Sequence, residues 1–213
     1  MGNRLTTAPT TWPLTLAQAK KQCNVPHADD DDYLDSTSQA TPGLIQVATQ
    51  FLERRWSIAL LEQTWTLTLP SWTKHRHYRS ATKTYNRIAI PVVPLMSVTS
   101  VKYYDVDNAQ QTLATANYDV DTTSRPGTIS LAYGYVWPTI YDRPDAVEII
   151  YKAGFSTVAA MNADMPGVTH AIRLLIAHWY RNREAVHVGT VPHRMEEALD
   201  AIAEQFNFNV GGG

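Results

Sequence analysis

The apolar residues of this chain change their spacing twice, from a helical period to a period of two and back again. That double switch restricts the fold more than any other feature. Up to about Ala59 the spacing is helical. Thr15 is placed to N-cap a short helix through LAQAKKQ, with Leu16 and Ala19 facing inward and Pro26 closing it. Asp29 to Asp32 stand before Tyr33 and Leu34, where four carboxylates suit the positive end of a helix and read as a solvated helix start. Thr41-Pro42-Gly43 interrupts the next segment, and Thr41 is expected to cap a helix running to about Trp56, since proline is welcome at a first helical position. Ile45, Ala48, Leu52 and Trp56 form its apolar stripe.

From Leu60 the period is two. In LEQTWTLTL, Leu61, Trp65, Leu67 and Leu69 are the apolar set and Glu62, Thr64, Thr66 and Thr68 the polar one, as in a half-buried antiparallel strand. Further strands are expected at Arg87 to Ile90, Val98 to Asp105, Tyr118 to Asp121, Thr128 to Leu131 and Ala146 to Lys152. Asp107-Asn108 and Arg125-Pro126-Gly127 supply turns, and Pro91 and Pro94 mark a bend. After Gly154 the helical period returns. Pro166 opens a helix whose face is Val168, Ile172, Leu175, Ile176 and Trp179, and a last helix carries Met195, Leu199 and Ile202.

This order predicts an α+β fold: a helical platform built from both chain ends, with an inserted small antiparallel β domain. The expected divisions are 1–59 and 155–205 for the platform, 60–154 for the insertion, and 206–213 for a flexible tail. Ile45, Leu52, Trp56, Ile172, Leu175 and Trp179 are the expected platform core.

At 213 residues the chain can bury a substantial core, and a net charge of -2 excludes a strongly basic nucleic-acid binder. Cys23, the single cysteine, can form neither an intrachain disulfide nor a zinc cluster. No apolar run suits a secretory signal or a membrane span, so a soluble protein is expected. Motifs for a nucleophile elbow, a phosphate loop, a dinucleotide fold or a zinc protease are absent, and no cofactor, metal or catalysis is expected. His75 and His77 would share a strand face, but Lys74, Arg76 and Arg79 around them would repel a cation. His170 and His178 read as hydrogen-bonded, partly buried histidines, and Asp119 and Asp121 as surface acids near a turn.

Charge is unevenly spread. Between Gln63 and Tyr104 there is no acid, whereas Lys74, Arg76, Arg79, Lys83, Arg87 and Lys102 give six positive charges. The loop WTKHRHYRSATKTYNR reads either as a solvated surface or as a contact for DNA or an acidic partner through Lys74, Arg76, Arg79 and Lys83. In the tail, Phe206, Phe208 and Val210 alternate, which suits a frayed end or an arm that adds to an acceptor on another chain.

PLTLAQAK, DDDDYL, ERRW, QTWTLTL, PVVPLMSVTSVKYYD, LATANYDVDTTSRPGTI, VEIIYKAGF and AIRLLIAHWYRNREAV, in this order from about Pro13 to Leu199, resemble tailed-phage head-tail connector proteins, also called adaptor or head-completion proteins. The resemblance implies a non-enzymatic virion protein in the neck, assembled in the host cytoplasm. It implies a dodecameric ring beneath the portal, with stopper or tail proteins on the far side, the genome passing through the bore, and no membrane. Phe206, Phe208 and Val210 would then grip the portal or a neighbouring copy. The competing expectation is a monomeric carbohydrate- or protein-binding module that uses Trp72, Tyr78 and Tyr85; a hydrolase with an unrecognised site is a third.

Overall fold

The computed structural model describes residues 2–36, 41–72, 87–183 and 193–204. It is α+β, with antiparallel sheets and helices gathered into two compact units. One unit comprises Met1–Pro9 and Glu62–Phe155; the other comprises Thr10–Leu61 and Ser156–Gly213.

The first unit is built on a five-stranded sheet of order β1-β2-β8-β4-β5. These strands are β1 (Gly2–Thr7), β2 (Gln63–Leu69), β8 (Val147–Ala153), β4 (Leu95–Tyr104) and β5 (Gln110–Thr112). A second sheet has the order β3-β7-β6, from β3 (Arg87–Ala89), β7 (Thr128–Leu131) and β6 (Tyr118–Asp121). Burial alternates along β8, where Val147, Ile149, Tyr151 and Ala153 are inside, as a strand with one core face requires. Leu67 and Leu69 of β2, Val101 of β4, Ile88 of β3 and Ile129 of β7 are also in the core. Tyr151 donates its buried hydroxyl to Asn3 Oδ1 at 3.0 Å, which ties β1 to β8 across β2. Burial pushes that phenol well above its usual range.

The N-terminal residues depart from the helical reading. Gly2–Thr7 form an edge strand on β2, with Gly2 opposite Thr68 and Leu5 opposite Trp65. No period reveals this strand, because all six of its residues are exposed. Its presence also explains why Thr66, expected to face water, is buried, with its hydroxyl 2.7 Å from that of Thr6. β5 has no apolar residue, so it too escapes a reading by period.

The second unit contains α1 (Leu16–Cys23), α2 (Asp31–Leu34), α3 (Leu44–Trp56), α4 (Val158–Asp164), α5 (Pro166–Arg181) and α6 (His193–Glu204). Helix α5 packs against α1, α3, α4 and α6. Its buried face is Val168, Ala171, Ile172, Leu175 and Ile176, the recurrence of a helix with one apolar side. Burying each large side chain there contributes about 1.5–3 kcal/mol. Ile45, Leu52 and Trp56 of α3 are buried alongside, whereas Trp179 is half-buried, edge-on to Phe51 at 5.7 Å. In α6, Leu199 and Ala203 are buried, and Arg55 of α3 donates both Nε and Nη2 to Asp200 Oδ1.

Thr15 caps α1 in a complete capping box with Gln18. Helix α3 begins later than expected. Gly43, not Thr41, is its N-cap, and Gln46 in its first turn donates to Asp35 Oδ1 at 2.7 Å. Glycine is required because the backbone of Asp35 and Ser36 passes directly over it: an added Cβ would lie 2.5 Å from Ser36 N and 2.8 Å from Asp35 Cα. Ser57 ends the helix in the left-handed region, at φ 54°, where glycine is more usual. α4 was not legible from the sequence; Thr157 caps it by accepting from Ala160 N–H at 3.1 Å. Since backbone atoms cannot move aside, Gly43→Ala should cost about 1–3 kcal/mol, read as a lower urea midpoint with an unchanged m-value.

Candidate functional site

In the first unit, residues 132–142 leave β7 as a loop, AYGYVWPTIYD, with an anchored base and an exposed tip. Trp137 stacks on Trp72, ring centroids 4.5 Å apart and planes 11° from parallel. Trp72 Nε1 donates to the Pro138 carbonyl at 2.9 Å. Tyr141 N–H donates to the Tyr104 carbonyl at 2.9 Å, and the Arg143 guanidinium lies 3.7 Å from the centroid of the Tyr104 ring. Arg143 also donates to both oxygens of Asp145 and to Asn108 Oδ1, so the turn after β4 is fastened to the same base. These hydrogen bonds hold Asp145 below the usual carboxylate range and raise Arg143. At the other end, Ala132 N–H donates to the Asn117 carbonyl at 3.1 Å and Tyr135 N–H to the Ala132 carbonyl at 3.2 Å. Gly134 turns the tip at φ +84° with nothing within 4 Å of an added Cβ, so its conformation, not crowding, calls for glycine. Tyr133, Tyr135 and Val136 stand in solvent.

A second cluster sits in the helical unit, where Asp30 Oδ2 accepts from Tyr180 Oη and from Arg183 Nη2. Arg183 lies over both Tyr180 and Tyr33, 4.4 and 4.7 Å from their centroids. Lys20 Nζ reaches Asp31 Oδ1 at 2.6 Å. The acidic run is therefore more than a solvated helix start: Asp30 holds the C-terminal end of α5 and Asp31 holds α1. Its bonds to Arg183 and Tyr180 keep Asp30 below the ordinary carboxylate value, and the same bonds raise Tyr180 and Arg183.

Among the residues singled out from sequence, Lys74, Arg76, Arg79 and Lys83, the pair His75 and His77, and Phe206, Phe208 and Val210 lie outside the described residues. So do Tyr78 and Tyr85 of the competing binding module. Trp72, the third aromatic of that module, is 5% exposed and committed to the Trp137 stack, so it presents no ring to a ligand. Asp121 closes a turn by accepting from Thr123 and Ser124, through both backbone and hydroxyl groups, which depresses its pKa strongly. His178 is half-buried beside Asn182, while His170 is exposed. Among the described residues no group of three or more His, Cys, Asp or Glu is arranged to hold a metal ion, and no helix is long and apolar enough to cross a membrane. The aromatic loop was missed because its apolar residues follow neither period; the signal available was YGYVW itself, a bulky apolar run bent by a glycine.

No protein-family model and no curated protein matches the sequence. Solved structures share its fold. A chain from the neck of an empty gene transfer agent (GTA) particle, computed with C6 symmetry, superposes with a TM-score of 0.70 at 21% identity, covering 100% of this chain and 99% of the other. A chain from the virion of a native GTA particle gives 0.65 at 23% identity with the same coverage. One from the neck of a native GTA particle, computed with C12 symmetry, gives 0.65 at 22%, again with the same coverage.

Two outcomes are expected. Trp72→Ala should cost about 3–5 kcal/mol and make residues 132–142 a new site of limited proteolysis. Asp30→Asn should lower Tm at neutral pH. Because the folded pKa of Asp30 is depressed, its contribution is complete above the ordinary value of about 3.9 and is lost as pH falls through the lower folded value. The Tm gap to wild type, followed by circular dichroism, should therefore close on acidification; a gap independent of pH would contradict the assignment.

Proposed function

We propose that this chain is a structural neck protein of a phage-like particle: a head-tail connector subunit that closes into a ring beneath the portal. The observation that carries the reading is the fold likeness to neck chains, which spans 100% of this chain and 99% of theirs at a TM-score of 0.70. An excursion or insertion shared by unrelated proteins would not cover both chains end to end. The necks to which those chains belong were computed with C6 and C12 symmetry, which favours a ring of identical copies for this chain as well. The order of sequence segments supports the connector role in particular.

In this proposal the protein has no catalytic role and needs no cofactor. It works in the virion neck after assembly in the host cytoplasm, with the portal on one side and stopper or tail proteins on the other. Twelve copies surround a bore through which the genome passes. Phe206, Phe208 and Val210 form the arm that grips the portal or a neighbouring copy, and Lys74, Arg76, Arg79 and Lys83 meet DNA or an acidic neighbour.

The test is molar mass by light scattering over a concentration series, alone and with purified portal. A discrete multi-subunit species, or stable co-elution with portal, is expected; a 23.8 kDa monomer under both conditions would overturn the reading. In the same assay the double variant Phe206→Ser, Phe208→Ser should lose portal docking while keeping the wild-type Tm.

A further inference from the structure

Eight large apolar or aromatic side chains are exposed among the described residues, and five of them, Val106, Tyr133, Tyr135, Val136 and Tyr141, fall on the aromatic loop and the turn fastened to its base. Tyr133 is 104% exposed and Val136 83%. Isolated exposed apolar residues are ordinary, but a cluster on a protrusion marks a place where another surface is met. The loop is also held at both ends, as described above, which lessens the freedom lost when its tip is covered.

The chemistry of the tip selects a partner. Residues 132–142 carry a single charge, Asp142, and the neighbouring Arg143 is engaged by Asp145, Asn108 and Tyr104. Among the described residues of the loop and its base, then, none is a free cation that could meet a phosphate, which favours a protein partner for the tip over nucleic acid or anionic lipid. What fits is a protein surface with an apolar floor and a cationic rim. The helical unit carries such a surface on α3. Val47, Gln50, Phe51, Arg54 and Arg55 line a groove of about 490 Å³. Val47 is exposed and Phe51 half-buried, and Arg55 is turned to Asp200, leaving Arg54 at the rim. This chain already places guanidinium groups over tyrosine rings at Arg143 and at Arg183.

We propose that the tip Tyr133–Val136 of one copy seats in the α3 groove of the next, with Arg54 over a tip tyrosine. This rests on the ring reading above. Tip and groove are different surfaces, so the contact is heterologous, the kind that generates a closed ring when the rotation closes. Each aromatic buries about 150–250 Å², so the tip is an anchor within an interface of standard size, about 1,600 Å², and not the whole of it.

The experiment uses the full chain. Light scattering compares wild type with the tip variant Tyr133→Ser, Tyr135→Ser, Val136→Ser and with the groove variant Val47→Ser, Arg54→Gln, each checked for an unchanged Tm. In a Cys23→Ser background, Val136→Cys and Val47→Cys proteins are mixed and oxidised. Both surface variants are expected to lower assembly at a given concentration at least tenfold, and the mixture to give a covalent dimer that neither single-cysteine protein gives alone. If wild type assembles but the tip variant does so equally well, the anchor is refuted while the ring stands. If the tip variant loses assembly but no cross-link forms, the α3 seat is wrong. If assembly is unchanged but the tip variant loses binding to a labelled oligothymidine, the tip belongs to nucleic acid and the proposal falls. Wild type that never assembles, with or without portal, refutes the ring reading itself.

Discussion

Strand β8 enters the five-stranded sheet between β2 and β4 and is paired with both along its length. The first unit depends on this pairing. Gln63 faces Ala153 across the β2 and β8 ladder, and Glu62 accepts from Lys152 at 2.7 Å just beside it. The chain therefore enters and leaves the long β segment at neighbouring points. On the other side, Lys102 faces Glu148, so opposite charges mark the register with β4.

Helix α5 plays the corresponding part among the helices. Its apolar face serves α1, α3 and α4, while polar contacts fasten the periphery: Asp30 to the end of α5, Asp31 to α1, and Asp200 to Arg55 of α3. The two kinds of interaction divide the work. Burial supplies most of the free energy, and the charged hydrogen bonds choose which ends lie together. The aromatic loop follows the same plan on a smaller scale, with the Trp72 and Trp137 stack for burial and the Arg143 network for placement.

Periodicity revealed the elements that bury one face. The stripe Ile45, Ala48, Leu52 and Trp56, the face of α5 and the alternation of β8 were all legible because water is excluded from one side of each. β1 and β5 were not, since an edge strand with every residue exposed is defined by backbone pairing to a partner far along the chain. The start of α3 was misplaced because a threonine before proline resembles a cap, whereas the deciding factor is a backbone crossing over Gly43. The same limit hid the aromatic loop. Exposure of Tyr133 and burial of Trp72 look identical in one dimension, and only the fold separates the ring that supports from the ring that is offered.

The interleaving of segments bears on how the chain is made. The helical unit takes residues from both sides of the β segment, and α5, on which α1 and α3 rest, is synthesised after both of them and after the whole β segment. β1 and β2 leave the ribosome well before β8, which pairs with β2 and completes the sheet. Neither unit can close until the last part of the β segment, or what lies beyond it, has been made, so α1, α3 and β1 wait with their partners missing while that segment is synthesised. At that stage the exposed apolar faces are those most open to aggregation, before any chain has met a partner.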